Sequence, residues 1–370
     1  MNPESFLMKL LSIPSFSGSE ENRALFLETF FREREIFCER IGNNVIAQST
    51  NFDSGLPSLL LCSHIDTVQP GENWSSNPFE PVMDTEKISG LGSNDAGASM
   101  TALLFTFLKY YDRRDLPCNL ILAAVAEEEN GGENGIPKII SRLENLCGAV
   151  VGEPTLGKMV VSEKSLLVID AFVKGSTGHA AHENGINAVE LAAQDIARLP
   201  EIEFNRVCPY NGKVKISVTG IYSPNKLHNV IPDSCEYTLD IRFPELYEPE
   251  EILEVLSRRL TARLQARKIR PLPPAVSDTN PLLQAGLMSG LETAGSTTLS
   301  DKCRIPVPTL KMGPGDSLRS HRPDEYILRT ELRDGISTYE LWLENYFLLM
   351  KQNKKTDHET LAKDQHCSAS

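Results

Sequence analysis

The sequence predicts an α/β protein in which a mixed sheet is flanked by helices and interrupted by a smaller α+β domain. Three observations carry this reading. Apolar strands alternate with amphipathic helices through the first 150 residues, the pattern changes near residue 166 to a β-α-β-β-α order, and the first pattern resumes after the proline-rich crossing RPLPPAVSDTNP.

Residues 4–12 and 20–37 carry helical spacing, the second helix announced by SGSEEN, where Ser17 or Ser19 can cap and the glutamates favour a helix N-terminus. Strands NVIAQS and SLLLCSHID follow, then the helix ASMTALLFTFLKYY and the strand NLILAAVAEEE. Sites in such sheets lie at the C-terminal ends of strands. From residue 166 come LLVIDAFVKGS, a helix around INAVELAAQDIARL, the strands VKISVTGIYS and SCEYTLDIRF, and a helix with Ile252, Val255, Leu256 and Leu260 on one stripe. A short strand near IRPLPPAV completes one sheet with two helices, an inserted domain. A helical segment near 281–295 and the strand VPTLKMG return to the first domain. The expected boundaries are 1–165 with 275–350, 166–274, and a polar tail over 351–370 read as disordered.

The chain of 370 residues is long enough for two domains, and its formal charge of −13 argues against nucleic acid and anionic membrane as partners. Glu4 and Lys9 in MNPESFLMKLLSIPSF are unlike an export signal, and no apolar run approaches the roughly 20 residues that span a bilayer. The eight cysteines are scattered without a Cys-x-x-Cys pair, so free thiols in a reducing cytoplasm are expected. Any metal must then be held by histidine and carboxylate.

Five strand or turn ends carry such residues. In LLLCSHIDTVQP, strand alternation puts His64 and Asp66 on one side, which suits a metal ligand with its orienting carboxylate, a general base, or a structural hydrogen bond. In SGLGSNDAGASM, Asp95 takes the place of the third glycine of a dinucleotide loop, where it would repel a pyrophosphate; it can cap the following helix or reach a metal. Glu127, Glu128 and Glu129 crowd the end of an apolar strand, either as a solvated charge run or around a cation. Glu153 in VVGEPT can cap a turn or bind metal, and His321 in GPGDSLRSHRPDEY can be a surface residue or a ligand. Together these residues are the inventory of a dinuclear hydrolytic site. Imidazole and oxygen donors without thiolate suit Zn²⁺ first, with Co²⁺ or Mn²⁺ as further candidates, and two metals need one shared carboxylate.

In order and spacing, SHIDTV, GLGSNDAG, EEENGGENG, GEPT, GSTGHAAHENGINAVE, HNVIPDSCEYTLDIR and GPGDSLRSHRPDEY resemble the metallopeptidase family of acetylornithine deacetylase, succinyl-diaminopimelate desuccinylase, aminoacylase and bacterial glutamate carboxypeptidase. The resemblance implies a zinc-peptidase-like catalytic domain with two zinc ions, and an inserted ferredoxin-like domain that dimerises and closes over substrate. It implies His64, Asp95 and Glu153 on one zinc, Asp95, Glu129 and His321 on the other, Asp66 orienting His64, and Glu128 as general base. It further implies that His179 stabilises the oxyanion in the partner subunit's site and that Asn229 and Arg242 bind the substrate's carboxylate; alone, His179 reads as a turn histidine and Arg242 as a strand-end charge.

The implied activity is hydrolysis of an N-acyl amino acid, most like acetylornithine deacetylase, by a homodimer in the cytoplasm. Glu127 replaces the family's usual Asp, which bears on which of the three glutamates is the base, and the glycine spacing after Glu129 favours Glu128; TTLSDKC resembles the desuccinylases, so the acyl group and the amino acid stay open. A desuccinylase or a dipeptide-cleaving metallo-carboxypeptidase is the enzymatic rival. A homologue that has lost its metals is the non-catalytic one, and none of the metal-site residues is missing.

Overall fold

Strands Ser58–His64 and Asn119–Val125 are buried at every residue because they pair in parallel at the centre of a sheet covered on both faces. Alternate side chains serve opposite cores. Leu59, Leu61, Leu120, Leu122 and Val150 pack with Phe6, Phe30, Leu103 and Trp342 of the helices on one side. Leu60, Cys62, Ile121, Ala123 and Val151 pack with Ile136, Ile139 and Ile305 on the other.

The computed structural model describes residues 1–182, 184–269 and 276–367. The chain divides into one unit of Met1–Val161, Pro274–Ala294 and Ser300–Ser370 and another of Ser162–Pro273 with Gly295–Leu299. The eight-stranded sheet runs, in spatial order, Cys38–Ile41, Asn44–Gln48, Asn119–Val125, Ser58–His64, Leu146–Gly152, Thr309–Met312, Met159–Glu163 and Thr293–Ser296. It is mixed: the four strands Asn119–Val125, Ser58–His64, Leu146–Gly152 and Thr309–Met312 are mutually parallel, and the neighbours Asn44–Gln48 and Met159–Glu163 run antiparallel to them. Register pairs His64 with Val125, Cys62 with Val151, and Met312 with Gly152, so the four parallel strands end level on one edge.

Several boundaries differ from expectation, each for a local reason. Asn2 caps the helix Pro3–Leu11, but the helix Glu21–Arg32 has no side-chain cap, because the Ser17 hydroxyl is spent on Asp66 at 2.6 Å. That helix stops at Arg32, just before Glu35 takes a left-handed φ of 57°. The segment expected to be helical to 295 ends at Met288. Gly290, at φ 77°, donates to Leu287 O and Leu291 donates to Gly286 O, a Schellman closure, and a strand Thr293–Ser296 follows. The tail expected to be disordered continues the helix Arg329–Cys367, since no glycine or proline occurs after Gly335 to stop it.

The second unit is a four-stranded antiparallel sheet in the order Lys215–Tyr222, Ser234–Phe243, Ser165–Lys174, Arg263–Ile269. With the helices Ala188–Arg198 and Pro249–Arg259 this is the β-α-β-β-α-β ferredoxin-like arrangement. Arg263–Ile269 is the fourth strand; the rest of the segment expected to form it, 270–275, lies outside the described residues. Leu167, Ile169, Tyr237, Leu239 and Ile241 pack against Ala192, Ile252 and Leu256 of the two helices. Among the described residues no helix is long and apolar enough to cross a membrane.

Gly152 closes one parallel strand where Leu103 and Ser63 crowd it: an added Cβ would lie 2.7 Å from Leu103 Cδ1 and 3.1 Å from Ser63 Cβ. Gly152→Ala is expected to destabilise the protein by about 1–3 kcal/mol, through overpacking. Urea unfolding checks this, and an unchanged midpoint would contradict the packing described.

Candidate metal centre

His64 is the last residue of its strand, and its buried imidazole points along the sheet edge. Nδ1 lies 3.0 Å from the Asp66 carbonyl and donates to it, which leaves Nε2 facing Asp95 Oδ1 at 3.1 Å. The pairing expected through strand alternation takes a different form. The strand ends at His64, so Asp66 lies beyond it with its carboxylate 3.6 Å from Nδ1. That carboxylate accepts the backbone N–H groups of Glu128 at 3.1 Å and Glu129 at 3.0 Å. Asp66 therefore braces the glutamate run as well as facing the histidine.

The three glutamates separate. Glu127 takes a left-handed φ of 56° and turns its carboxylate back onto Asn134, accepting the backbone N–H at 3.0 Å and the side-chain amide at 2.9 Å. Gly132 is required there, since a Cβ would lie 1.9 Å from Glu127 Oε2. Glu128 and Glu129 stay in the cluster. Glu129 Oε2 is 2.9 Å from His321 Nε2, and Glu153, one residue past its strand, puts Oε1 3.9 Å from His64 Nε2.

Asp95 stands between the two histidines, with Oδ1 3.1 Å from His64 Nε2 and Oδ2 3.6 Å from His321 Nε2. Ligand atoms of His64, Asp95 and Glu129 all lie within 4.8 Å of one another, as do those of His64, Glu128 and Glu153. The strand ends thus gather His64, Asp66, Asp95, Glu128, Glu129, Glu153 and His321 in one place.

The electrostatics are those of an anionic cavity. Burial pushes Glu128 well above the carboxylate range, helped by the charge of Glu153, and raises Glu153 to about 8 against the charges of His64 and Lys311. For Asp95 burial also opposes ionisation, but the His64 hydrogen bond and charge win and hold it at about 2. Burial likewise opposes the charge on His64, and Asp66 and Asp95 override it, raising it well above the usual value. The hydrogen bond to Glu129 raises His321 to about 9. A cluster that retains protons on these groups is suited to exchanging them for divalent cations, and its all-oxygen and imidazole donors fit zinc, cobalt or manganese.

Three neighbours escaped the sequence reading. Glu325 accepts backbone N–H groups from Gly92, Asn94 and Asp95. Arg23, 1% exposed, donates to the carbonyls of Leu10, Ile13 and Ile65 and lies near enough to Asp66 and Glu325 to interact with both charges. Asp301 adds negative charge near Glu128. Two of them left a signal: Arg23 shares an i, i+4, i+7 stripe with Leu27 and Phe30, where an arginine is out of place, and Asp301 is the aspartate of TTLSDKC.

His179, Asn229 and Arg242 belong to the second unit. The loops of His179 and Asn229 are joined by hydrogen bonds from Ala180 N to Asn229 O at 3.0 Å and from Ile231 N to Gly178 O at 2.8 Å. His179 Nδ1 accepts from Ala181 N at 3.1 Å, so its proton sits on Nε2, free to donate. Arg242 forks onto Asp240, at 2.8 and 3.1 Å, near the opposite end of the strand Ser234–Phe243. Arg242 lies eight residues along the strand from Ser234, about 26 Å at the usual rise per residue. Asn229 lies in the loop before that strand and Arg242 near its far end.

A sheet whose parallel strand ends deliver histidines and carboxylates to one anionic cluster defines a metallohydrolase. The chain belongs to peptidase family M20/M25/M40, whose family model matches residues 60–345. It is 28% identical over 373 residues to acetylornithine deacetylase of Proteus mirabilis (strain HI4320), covering 93% of this chain and 96% of that protein. It is 20% identical over 374 residues to succinyl-diaminopimelate desuccinylase of Wolbachia pipientis wMel, covering 94% of each. Among solved structures, a Bacillus subtilis protein described as a dinuclear metal binding peptidase of the M20 family superposes with a TM-score of 0.68 at 17% identity, over 94% of this chain and 98% of that one.

Two outcomes follow from this geometry. Because Glu153 at about 8 and His321 at about 9 hold protons that a cation must displace, metal uptake by metal-free protein should release protons, and affinity should fall as pH drops through about 9 and more steeply below about 8. Calorimetric titration in buffers of different ionisation enthalpy checks this; uptake without proton release would contradict it. Glu128→Gln should keep metal and lose turnover by about 100-fold or more, whereas Glu129→Gln should lose metal. Metal analysis of both variants decides, and the reverse pattern would exchange the two roles.

Proposed function

We propose that this chain hydrolyses the amide bond of an N-acyl amino acid, releasing a carboxylic acid and the free amino acid, with N-acetylornithine or a related arginine-pathway intermediate as substrate. The observation that carries the proposal is Asp95, whose two oxygens face two different histidines, as one carboxylate shared between two metal positions must. His64 and Glu153 would complete one position, Glu129 and His321 the other. When bound, two divalent cations, zinc first, supply Lewis acidity to the attacking water and the scissile carbonyl.

The protein's own groups then handle the protons. Glu128 takes a proton from the attacking water as the C–O bond forms, and delivers it to the amide nitrogen as the C–N bond breaks. Burial raises the Glu128 carboxyl, which favours its taking up the proton that the water gives up. His179 Nε2–H donates to the developing oxyanion, and Asn229 and Arg242 hold the substrate's carboxylate. In this reading the protein is a homodimer in which His179 reaches into the partner subunit's site. The exposed Val218, Ile221 and Tyr222 on the sheet's end strand offer a surface for it. Cysteines scattered without a Cys-x-x-Cys pair support a reducing cytoplasm as the enzyme's location.

A second reading, a desuccinylase, is favoured by TTLSDKC, whose Asp301 lies near Glu128. A panel of acetyl- and succinyl-amino acids, assayed after chelation and after zinc or cobalt is restored, separates the readings. Metal-dependent turnover should be highest on an acetylated substrate; preference for succinyl-diaminopimelate would favour the rival, and full activity without metal would sink both.

Action across the dimer has its own test. His179→Ala mixed with Glu128→Gln under subunit exchange should recover about a quarter of wild-type activity, because half the dimers would be hybrids with one intact site of two. Verified exchange without recovery would place His179 in its own chain's site or outside catalysis.

A further inference from the structure

Glu325 is 3% exposed and lies just before the short strand Tyr326–Leu328, which pairs with Lys87–Ser89. Its carboxylate is fully taken up by the loop that carries Asp95. Oε1 accepts the N–H groups of Asn94 at 2.8 Å and Asp95 at 2.9 Å, and Oε2 accepts that of Gly92 at 2.9 Å. The Glu325 carbonyl accepts a fourth N–H, from Gly90 at 3.0 Å. Asn94 reaches back across the same gap: Nδ2 donates to Asp316 O at 3.0 Å and Ser320 Oγ at 3.2 Å, and Oδ1 accepts from Asp316 N at 3.0 Å. The Gly90–Asp95 turn and the Asp316–Glu325 loop are thus fastened together, and they carry Asp95 and His321, one from each side.

We infer that Glu325 is a positioning residue for the metal centre: its carboxylate fixes the Gly92–Asp95 backbone so that the two Asp95 oxygens face His64 and His321, and it thereby sets the affinity of the whole site for divalent cations. The chemistry demands a carboxylate. Three N–H groups from one turn converge on two acceptor oxygens, and an amide would offer one oxygen and turn its NH₂ toward a donor. Aspartate falls one methylene short. Gly92, at φ 79° with room for no Cβ (2.7 Å to Thr67 Cγ2), cannot restore the turn by other packing.

The inference rests on the metal-centre reading and is tested by zinc binding rather than by turnover. Metal-free wild type, Glu325→Gln, Glu325→Asp and Leu332→Ala, each shown folded by circular dichroism, are titrated with zinc against a chromophoric chelator. Leu332 is fully buried in the core of the first unit and takes no part in the clasp, so its truncation controls for lost stability. Glu325→Gln and Glu325→Asp should bind zinc about 10–100-fold more weakly, the usual loss when a group supporting a ligand is removed, and Leu332→Ala should bind like wild type. Excess zinc should restore activity to Glu325→Gln. Zinc binding by wild type with equal affinity in both Glu325 variants, or an equal loss in Leu332→Ala, would overturn the inference alone. A wild type that binds no zinc would overturn the metal-centre reading with it.

Discussion

The structure depends on one constraint: a set of carboxylates is held together, largely out of water, where mutual repulsion and lost hydration both oppose their charge. Asp66, Asp95, Glu128, Glu129 and Glu153 meet around His64 and His321, with Glu325 and Asp301 close behind. Burial of this kind costs several kcal/mol per unpaired ion. The protein offsets it by holding both histidines charged, by leaving a proton on Glu153, and by surrounding Asp66 and Glu325 with N–H donors. Arg23 adds a buried cation, which desolvation lowers to about 10 and which the charges of Asp66 and Glu325 help to keep protonated.

The sheet makes that assembly possible. Four parallel strands end level on one edge, and the residues just past them lead into turns that aim their side chains. Each turn has a definite device: the Asp66 carbonyl beneath His64, the Asp66 carboxylate under Glu128 and Glu129, the Glu127–Asn134 fold-back, and Glu325 beneath Asp95. Packing on both faces by the helical layers keeps these ends from spreading. The site is rigid where the strands are most buried and more open at His321, whose side chain is 52% exposed.

Much of the fold was legible in the sequence because strand and helix spacing survive in residues such as Leu59–Leu61 and Ala98–Tyr110, and because ferredoxin-like order shows in the succession of periods. Endings were less legible. A Schellman closure at Gly290 and a strand that stops at His64 depend on which N–H finds which carbonyl. The helix beyond residue 351 has polar residues all round, a composition that a disordered tail shares. For the site, ligand-type residues stood out because they follow apolar runs, and Glu127 could be set apart from Glu128 by its glycines. The second role of Asp66 and the whole role of Glu325 could not be read, since three N–H groups from residues 92–95 meet a carboxylate more than 200 residues away only in the folded chain.

The central claim is that Asp95 is shared between two metal positions. Anomalous diffraction from crystals grown with zinc, collected on both sides of the zinc edge, tests it most directly. The account predicts two peaks about 3.5–4 Å apart, the spacing of a two-metal site, with one Asp95 oxygen on each, His64 at one and His321 at the other. A single peak, or two peaks of which neither touches Asp95, would contradict it.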